Sequence, residues 1–419
     1  IPAAVNLARL DLNERKPALA QQRFEKLLEK QPRNAELMQV YADFLLQQGK
    51  PADAGRWLEK ARQLHPAAMR PLLTLTAIAL QAKDNKRALE LAQAGVAAHP
   101  DDQQALDNLG NVQFLMGEKN QSLATYAKLV KLYPKSALAH FRLAYVQSQS
   151  GDSKAAIESL KTTLALAPTN ADAYAALIAL YMKEGKSGDA VQLTQALQKQ
   201  LPKLPLGFLL EGDVQMQAKK YAEAAAVYRR AAALGDSGLV VIKLHRAERL
   251  AGNAQQAEAL VGKWLKDHAD DLPVRQYLAE TAISDGDFKL AAERYLPVIK
   301  LQPNNVAALN NLAWAYYQLK DGRALATAEL ALKLPPKHPG ILDTMGMILL
   351  ESQPQKGADY LQQAVEADKS NKEIRLHLAQ AFIKLGQKAK AIQELDKIAV
   401  YGDQSEAAAT ARKLLNSIQ

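Results

Sequence analysis

The sequence predicts an all-α solenoid (superhelix) of about twelve helix–turn–helix repeats, closed by a C-terminal capping helix. Three observations predict it: prolines at a fixed spacing, glycines between them, and apolar residues recurring at intervals of three and four. Pro32, Pro66, Pro100, Pro134, Pro168 and Pro202 each fall 34 residues after the last. A fixed period of that size marks a repeat architecture. Repeats begin at Ile1, Ala35, Met69, Gln103, Ala137, Ala171 and Pro205. After a one-residue slip they begin at Gly238, Leu272, Val306, Pro339 and Lys372. The organisation expected is six regular repeats over 1–204, six less regular ones over 205–405, and a cap over 406–419.

Within a repeat each element has its own signal. Pro71, Pro205 and Pro273 open first helices; Pro17, Pro51 and Pro354 open second ones. Proline suits a helix's first turn because its missing N–H has no partner there in any case. Gly49, Gly117, Gly151, Gly185, Gly252, Gly286 and Gly386 separate the two helices. A glycine just past a helix end takes the left-handed conformation that closes it. Leu106, Leu109 and Gly110 share one face of a first helix, as do Leu309, Leu312 and Ala313. Second helices carry Ala54, Leu58 and Ala61, or Ala291, Tyr295 and Val298, at the same spacing. Pro297 falls inside a second helix and is expected to kink it. The stacking should be least regular there and at the slips ending at Ser237, His338 and Asn371. Ala408, Ala411, Leu414, Leu415 and Ile418 give the last helix a face to cover the final repeat.

Composition removes several function classes. There is no cysteine, hence no disulfide framework, Cys-ligated metal or thiol nucleophile. The charge-free, largely apolar stretch Pro71 to Ala82 is far short of the roughly 20 apolar residues of a membrane span. The seven histidines form no HExxH-type pair. His65, His99 and His268 sit near second-helix ends, where a partly cationic ring is favourable. Gly185-Lys186-Ser187 imitates a phosphate loop, but its required upstream glycine is Leu180. Asp101-Asp102 and Asp270-Asp271 lie between repeats, where they cap helices. No catalytic residue, cofactor site or metal site is expected, and the chain is not expected to be an enzyme.

Small residues in both helices and a closing proline make the pattern resemble the tetratricopeptide repeat (TPR), over essentially the whole chain. It departs where Asp236, Ala269, Lys369 and Asp403 replace that proline. The resemblance implies a concave groove built mainly by first helices, with contacts from the second, fifth, ninth and twelfth places of each repeat. Those places hold Asp107, Asn111 and Phe114, then Leu138, Phe141 and Tyr145. They continue with Leu209, Asp213 and Met216, then Arg246 and Arg249, then Asn310, Trp314 and Tyr317. Such a wall, partly apolar and aromatic, is expected to grip an extended or helical segment of another protein. The bland alternative is that these side chains pack on adjacent turns. A carboxylate clamp of lysine, asparagine and arginine is not expected, because Asn108 and Arg142 are present but the lysine place holds Leu73.

The formal charge of +9 raises a second class, a polyanion-binding repeat protein that takes RNA or acidic glycan through clusters such as Lys219-Lys220 and Arg229-Arg230. Against it, 44 acids are interspersed among 53 bases, and nucleic acid is the disfavoured partner.

Later repeats carry a more distinctive text: Gly207 to Gly212, Leu309-Asn310-Asn311-Leu312-Ala313-Trp314, Ala328 to Leu332, Ile341 to Gly346, and Glu373 to Ala379. This resembles the tetratricopeptide lipoproteins of bacterial PEP-CTERM/exosortase systems, accessory factors in protein sorting and exopolysaccharide export. The resemblance implies a non-catalytic scaffold that is periplasmic and membrane-anchored through a lipidated N-terminal cysteine; a cytoplasmic protein is the alternative. Partners would be export-machinery components or sorted proteins, and exopolysaccharide is a further candidate. The chain starts at Ile1 rather than methionine, so a trimmed start is expected, with the signal peptide and lipid anchor upstream.

Overall fold

The computed structural model describes residues 6–8, 10–11, 14, 16–400 and 403–418, and every regular element among them is an α-helix. The chain divides into two compact units, 1–218 and 219–419. In the first, the pairs are Ala35–Gln47 with Pro51–Leu64, Met69–Gln81 with Asn85–Ala98, and Gln103–Leu115 with Lys119–Leu132. Ala137–Gln149 with Ser153–Leu166 and Ala171–Lys183 with Ser187–Gln200 follow. Pro17–Lys30 precedes them and Leu206–Gln217 closes the unit. The helix expected from Ile1 lies largely outside the described residues.

The second unit opens with Tyr221–Ala232. Its pairs are Gly238–Leu250 with Ala254–Asp267, Leu272–Ser284 with Phe288–Leu301, and Val306–Gln318 with Ala324–Lys333. Pro339–Ser352 with Pro354–Ala367 and Lys372–Lys384 with Lys388–Ile398 complete them, and Glu406–Ile418 caps the stack. Within each unit helices pack on their neighbours along the chain, and several successive first helices also touch, among them Gln103–Leu115 with Ala137–Gln149 and Val306–Gln318 with Pro339–Ser352. The fold is an all-α repeat solenoid, as the proline spacing predicts.

The punctuation works as local chemistry. At Gln31-Pro32-Arg33-Asn34 the Asn34 amide donates to the Gln31 carbonyl, forming a β-turn with proline second. The Asn34 side chain then accepts from the Leu37 amide and caps the next helix. Asp102, Ser136, Asn170, Asp271, Asn305 and Asn371 cap at the same place. Where Lys369 replaces the proline, the Asp368 carboxylate fixes the turn instead by accepting from the Ser370 amide and hydroxyl.

Between paired helices, all seven expected glycines hold positive φ, from 70° to 88°. The amide one residue on donates back five residues, as from Lys50 to Leu45 and from Asp152 to Gln147. Three repeats reach the same conformation without glycine, at Lys83 (φ 59°), Lys219 (φ 60°) and Lys320 (φ 55°). A side chain is penalised there and glycine is not. Lys83→Gly and Lys320→Gly are each expected to stabilise the chain by about 0.5–1 kcal/mol, the left-handed penalty less glycine's entropy. A chemical-denaturation midpoint that falls in either variant would contradict this.

The core is built on small residues. Ala54, Ala88, Ala156, Ala190, Ala224, Ala257, Ala291 and Ala391 occupy one place of successive second helices and are all fully buried. Ser122 stands at that place in one repeat, its hydroxyl donating to the Gly110 carbonyl at 2.7 Å. Pro297 lies inside Phe288–Leu301, which runs through it as one unbroken helix. The amide lost would have served the carbonyl of Glu293, an exposed residue whose surroundings supply water. The three short repeats lose their residue in different places. Two have shortened second helices, Tyr221–Ala232 and Ala324–Lys333, and in the third only Gln353 separates Pro339–Ser352 from Pro354–Ala367.

Candidate groove face

In the first unit the expected groove residues lie on the first helices Gln103–Leu115, Ala137–Gln149 and Leu206–Gln217. Asp107, on Gln103–Leu115, accepts from Arg142 Nε of the next repeat at 3.1 Å. This engages the arginine that a carboxylate clamp would need, and Asn108 is likewise turned to the Thr76 hydroxyl at 3.3 Å. Phe114 meets Tyr145 edge-on, ring centroids 5.1 Å apart. Asn111, Phe114 and Phe141 are half-buried, whereas Tyr145 is 50% exposed. Phe141 and Tyr145 form one side of a cavity of about 550 Å³ that continues to Ala176, Ala179 and Lys183. Asp213 and Met216 are half-buried on Leu206–Gln217, the last helix of the unit.

In the second unit Arg246 and Arg249 border a hollow of about 440 Å³ with Tyr277, Glu280 and Asp285. Arg249 donates to Asp285 at 2.6 Å, while Arg246 is exposed. Asn310, Trp314 and Tyr317 share Val306–Gln318. The Trp314 ring lies 5.5 Å from Tyr317 and 6.2 Å from His377, two repeats on. Asn310 Oδ1 is buried and receives no hydrogen bond. The face therefore mixes half-buried aromatic groups with polar ones, and several of its charges are engaged. Elsewhere Arg229 pairs with Glu248, Arg294 with Glu258 and Arg375 with Glu394, dispersing the basic excess.

Two histidines here were not singled out by sequence reasoning. His377 Nδ1–H donates to both Asp343 oxygens, at 2.8 and 3.0 Å. Burial opposes charge on the ring, but the Asp343 carboxylate outweighs it and raises the pKa. The signal available was the period, since the two residues are 34 apart. His245 is fully buried where most repeats place alanine or glycine. Its Nε2–H faces Glu258 Oε1 at 3.4 Å, leaving Nδ1 to accept from the Tyr277 hydroxyl at 2.9 Å. Burial lowers its pKa despite Glu258, with Arg249 and Arg294 adding to the shift.

The two shifts have opposite signs in stability. A lowered folded pKa means the unfolded chain binds the proton better, so His245 costs stability as pH falls below about 6.5. A raised one stabilises fully below that value and fades as pH rises through the folded pKa, which is the case of His377. Urea midpoints at pH 5.5 and 7.5 should therefore diverge: His245→Gln loses less at the acid pH, His377→Gln loses more there. Parallel losses at both pH values would show that neither histidine titrates as described.

Among the described residues no cluster of His, Asp or Glu is arranged to hold a metal, and no helix is long and apolar enough to cross a membrane.

Three family models, each described as tetratricopeptide repeat, match the chain: one over 147–207 and 349–415, one over 5–68 and 278–339, one over 104–136. Cellulose synthase operon protein C of Pseudomonas fluorescens is 27% identical over 194 residues, 43% of this chain and 15% of that protein. The TPR repeat-containing protein PA4667 of Pseudomonas aeruginosa is 30% identical over 180 residues, 41% of this chain and 30% of that protein. The chain thus spans less than a third of the length of either relative. Among solved structures, yeast Tom70 aligns with a TM-score of 0.45 at 13% identity, covering 86% of this chain and 99% of that one. A tetratricopeptide repeat protein from Parabacteroides merdae aligns at 0.43 and 16% identity, covering 59% and 98%.

Proposed function

We propose that this chain, which belongs to the tetratricopeptide repeat proteins, is a non-catalytic scaffold holding a segment of a partner protein on its first-helix face. The observation that carries the reading is the state of the aromatic side chains. Tyr145 is half exposed beside an open cavity, and Phe141, Trp314 and Tyr317 are incompletely covered. Aromatic groups left half-covered at a concave surface are the anchors that protein interfaces use. The groove residues proposed are those named above, Asp107 to Tyr317.

We further propose that the protein is an accessory factor of bacterial exopolysaccharide export or PEP-CTERM sorting, periplasmic and lipid-anchored at full length. The text around Asn310-Asn311-Leu312-Ala313-Trp314 supports this, as does the partial likeness to a cellulose synthase operon protein. The family-like text lies within 205–405, which is proposed to carry the system-specific contacts.

The test is a pull-down with the intact chain beside a variant with Phe141, Tyr145, Trp314 and Tyr317 all changed to Ala. The variant is expected to keep its helical circular dichroism and lose the partner. Loss of helicity would mark these residues as structural, and retained partners would move the site off this face.

A further inference from the structure

We propose that the hollow between the fifth and sixth repeats seats a large apolar side chain of the bound polypeptide, with a neighbouring carboxylate of that polypeptide on Lys183. This rests on the groove reading above and specifies what one part of the groove selects. The hollow arises from a difference in bulk between adjacent first helices. Ala137–Gln149 raises Phe141 and Tyr145 as one wall. Ala171–Lys183 answers with Ala176 and Ala179, and Leu160 and Leu180 are buried at the base. The cavity of about 550 Å³ is within the range of small-ligand sites and is roomy for one aromatic side chain. Alanines facing an aromatic wall over a leucine base suit an apolar group, whose burial is favourable in proportion to its area.

Charge identifies the neighbour of that group. The lining contains one charged residue, Lys183, which is exposed, and among the described residues no acid pairs with it. Three cations of the fourth and fifth repeats are engaged: Arg142 with Asp107, Lys161 with Glu158, and Lys119 with the Gln149 carbonyl. The hollow of the second unit differs, since its two arginines face Glu280 and Asp285 and its charge is balanced. Ser148 and Gln149 border the first-unit hollow with neutral hydrogen-bonding groups, which suit a peptide backbone. Tyr145 is held edge-on by Phe114, so its ring forms a wall and is not an open platform for a sugar.

The experiment pans a phage library of random dodecapeptides on the intact chain and on two variants. Ala179→Phe fills the hollow from an exposed helical position, and Lys183→Glu reverses the rim charge. Circular dichroism and a melting curve check that each variant folds. Peptides enriched on the natural chain should carry a large apolar residue within four positions of Asp or Glu. They should bind Ala179→Phe about tenfold more weakly, the effect of losing one anchor. Lys183→Glu should select Lys or Arg in place of the acid. Peptides that bind all three proteins equally would overturn the hollow and leave the groove reading standing. No enrichment on any of them would overturn both, and saturable binding of laurate without any peptide would replace the polypeptide by an acyl chain.

Discussion

Replacing Gly357 with alanine is expected to destabilise the chain by about 2–3 kcal/mol, although alanine ordinarily improves a helix by about 1 kcal/mol over glycine. The cause is a backbone contact in the eleventh repeat. Its helices, Pro339–Ser352 and Pro354–Ala367, are joined through Gln353 alone, whereas Ala35–Gln47 and Pro51–Leu64 have three residues between them. The two axes cross at glycines. A Cβ on Gly357 would stand 2.7 Å from the Leu350 amide nitrogen and 2.8 Å from the Gly346 carbonyl oxygen. A Cβ on Gly346 would stand 2.9 Å from the Gly357 carbonyl oxygen and 2.5 Å from Leu361 Cγ. Backbone atoms cannot rotate aside, so the helices must separate and uncover Leu361, which is fully buried. Gly55 and Gly262 are the controls, helical glycines with open space around them, and alanine there should stabilise by about 1 kcal/mol. Because repeats depend on their neighbours, amide exchange should rise chiefly in repeats ten to twelve. If Gly357→Ala proved as stable as Gly262→Ala, the close crossing would not exist.

The same repeat shows why the fold was more legible than the site. Fold signals are local and repeated: a proline that fixes φ in a turn and a glycine that takes positive φ each mean one thing. Even so, Lys83, Lys219 and Lys320 hold the left-handed position against their own preference. Only the period, which places them level with the glycines, could reveal them. Pro297 sits inside an unbroken helix for the complementary reason, since a proline is costliest where the carbonyl it orphans lacks water. Site signals are relations between repeats. Asp107 with Arg142 and Asp343 with His377 become pairs only when sequence distances of 35 and 34 are read as contact. The hollow beside Tyr145 is harder still, because the side facing that ring is alanine. In a helix alanine reads as propensity, and the absence of bulk leaves no mark in a one-dimensional pattern.

Tyr126 joins the two levels, and its replacement by alanine is expected to cost about 3–5 kcal/mol. Its side chain is 2% exposed, and its hydroxyl donates to the Asp107 carbonyl at 3.2 Å. Burial pushes the phenol pKa well above its ordinary value, with the Asp107 charge adding to it. The ring lies flat against Gly110, where a Cβ would come within 2.8 Å of Cε2 and Cζ. This contact differs from the one at Gly357 because its second partner is a side chain. Gly110→Ala alone should destabilise, but after Tyr126→Ala it should be neutral or stabilising. The double-mutant cycle should therefore show a coupling of about 1–2 kcal/mol. Tyr126→Phe keeps the ring and loses one long hydrogen bond, so about 1 kcal/mol is expected. Additive losses in the cycle would mean that ring and glycine do not touch. The consequence reaches the groove, because Asp107 is also the residue that holds Arg142. Tyr126→Phe should thus leave partner capture intact, whereas Tyr126→Ala should weaken it under conditions where the chain is still folded.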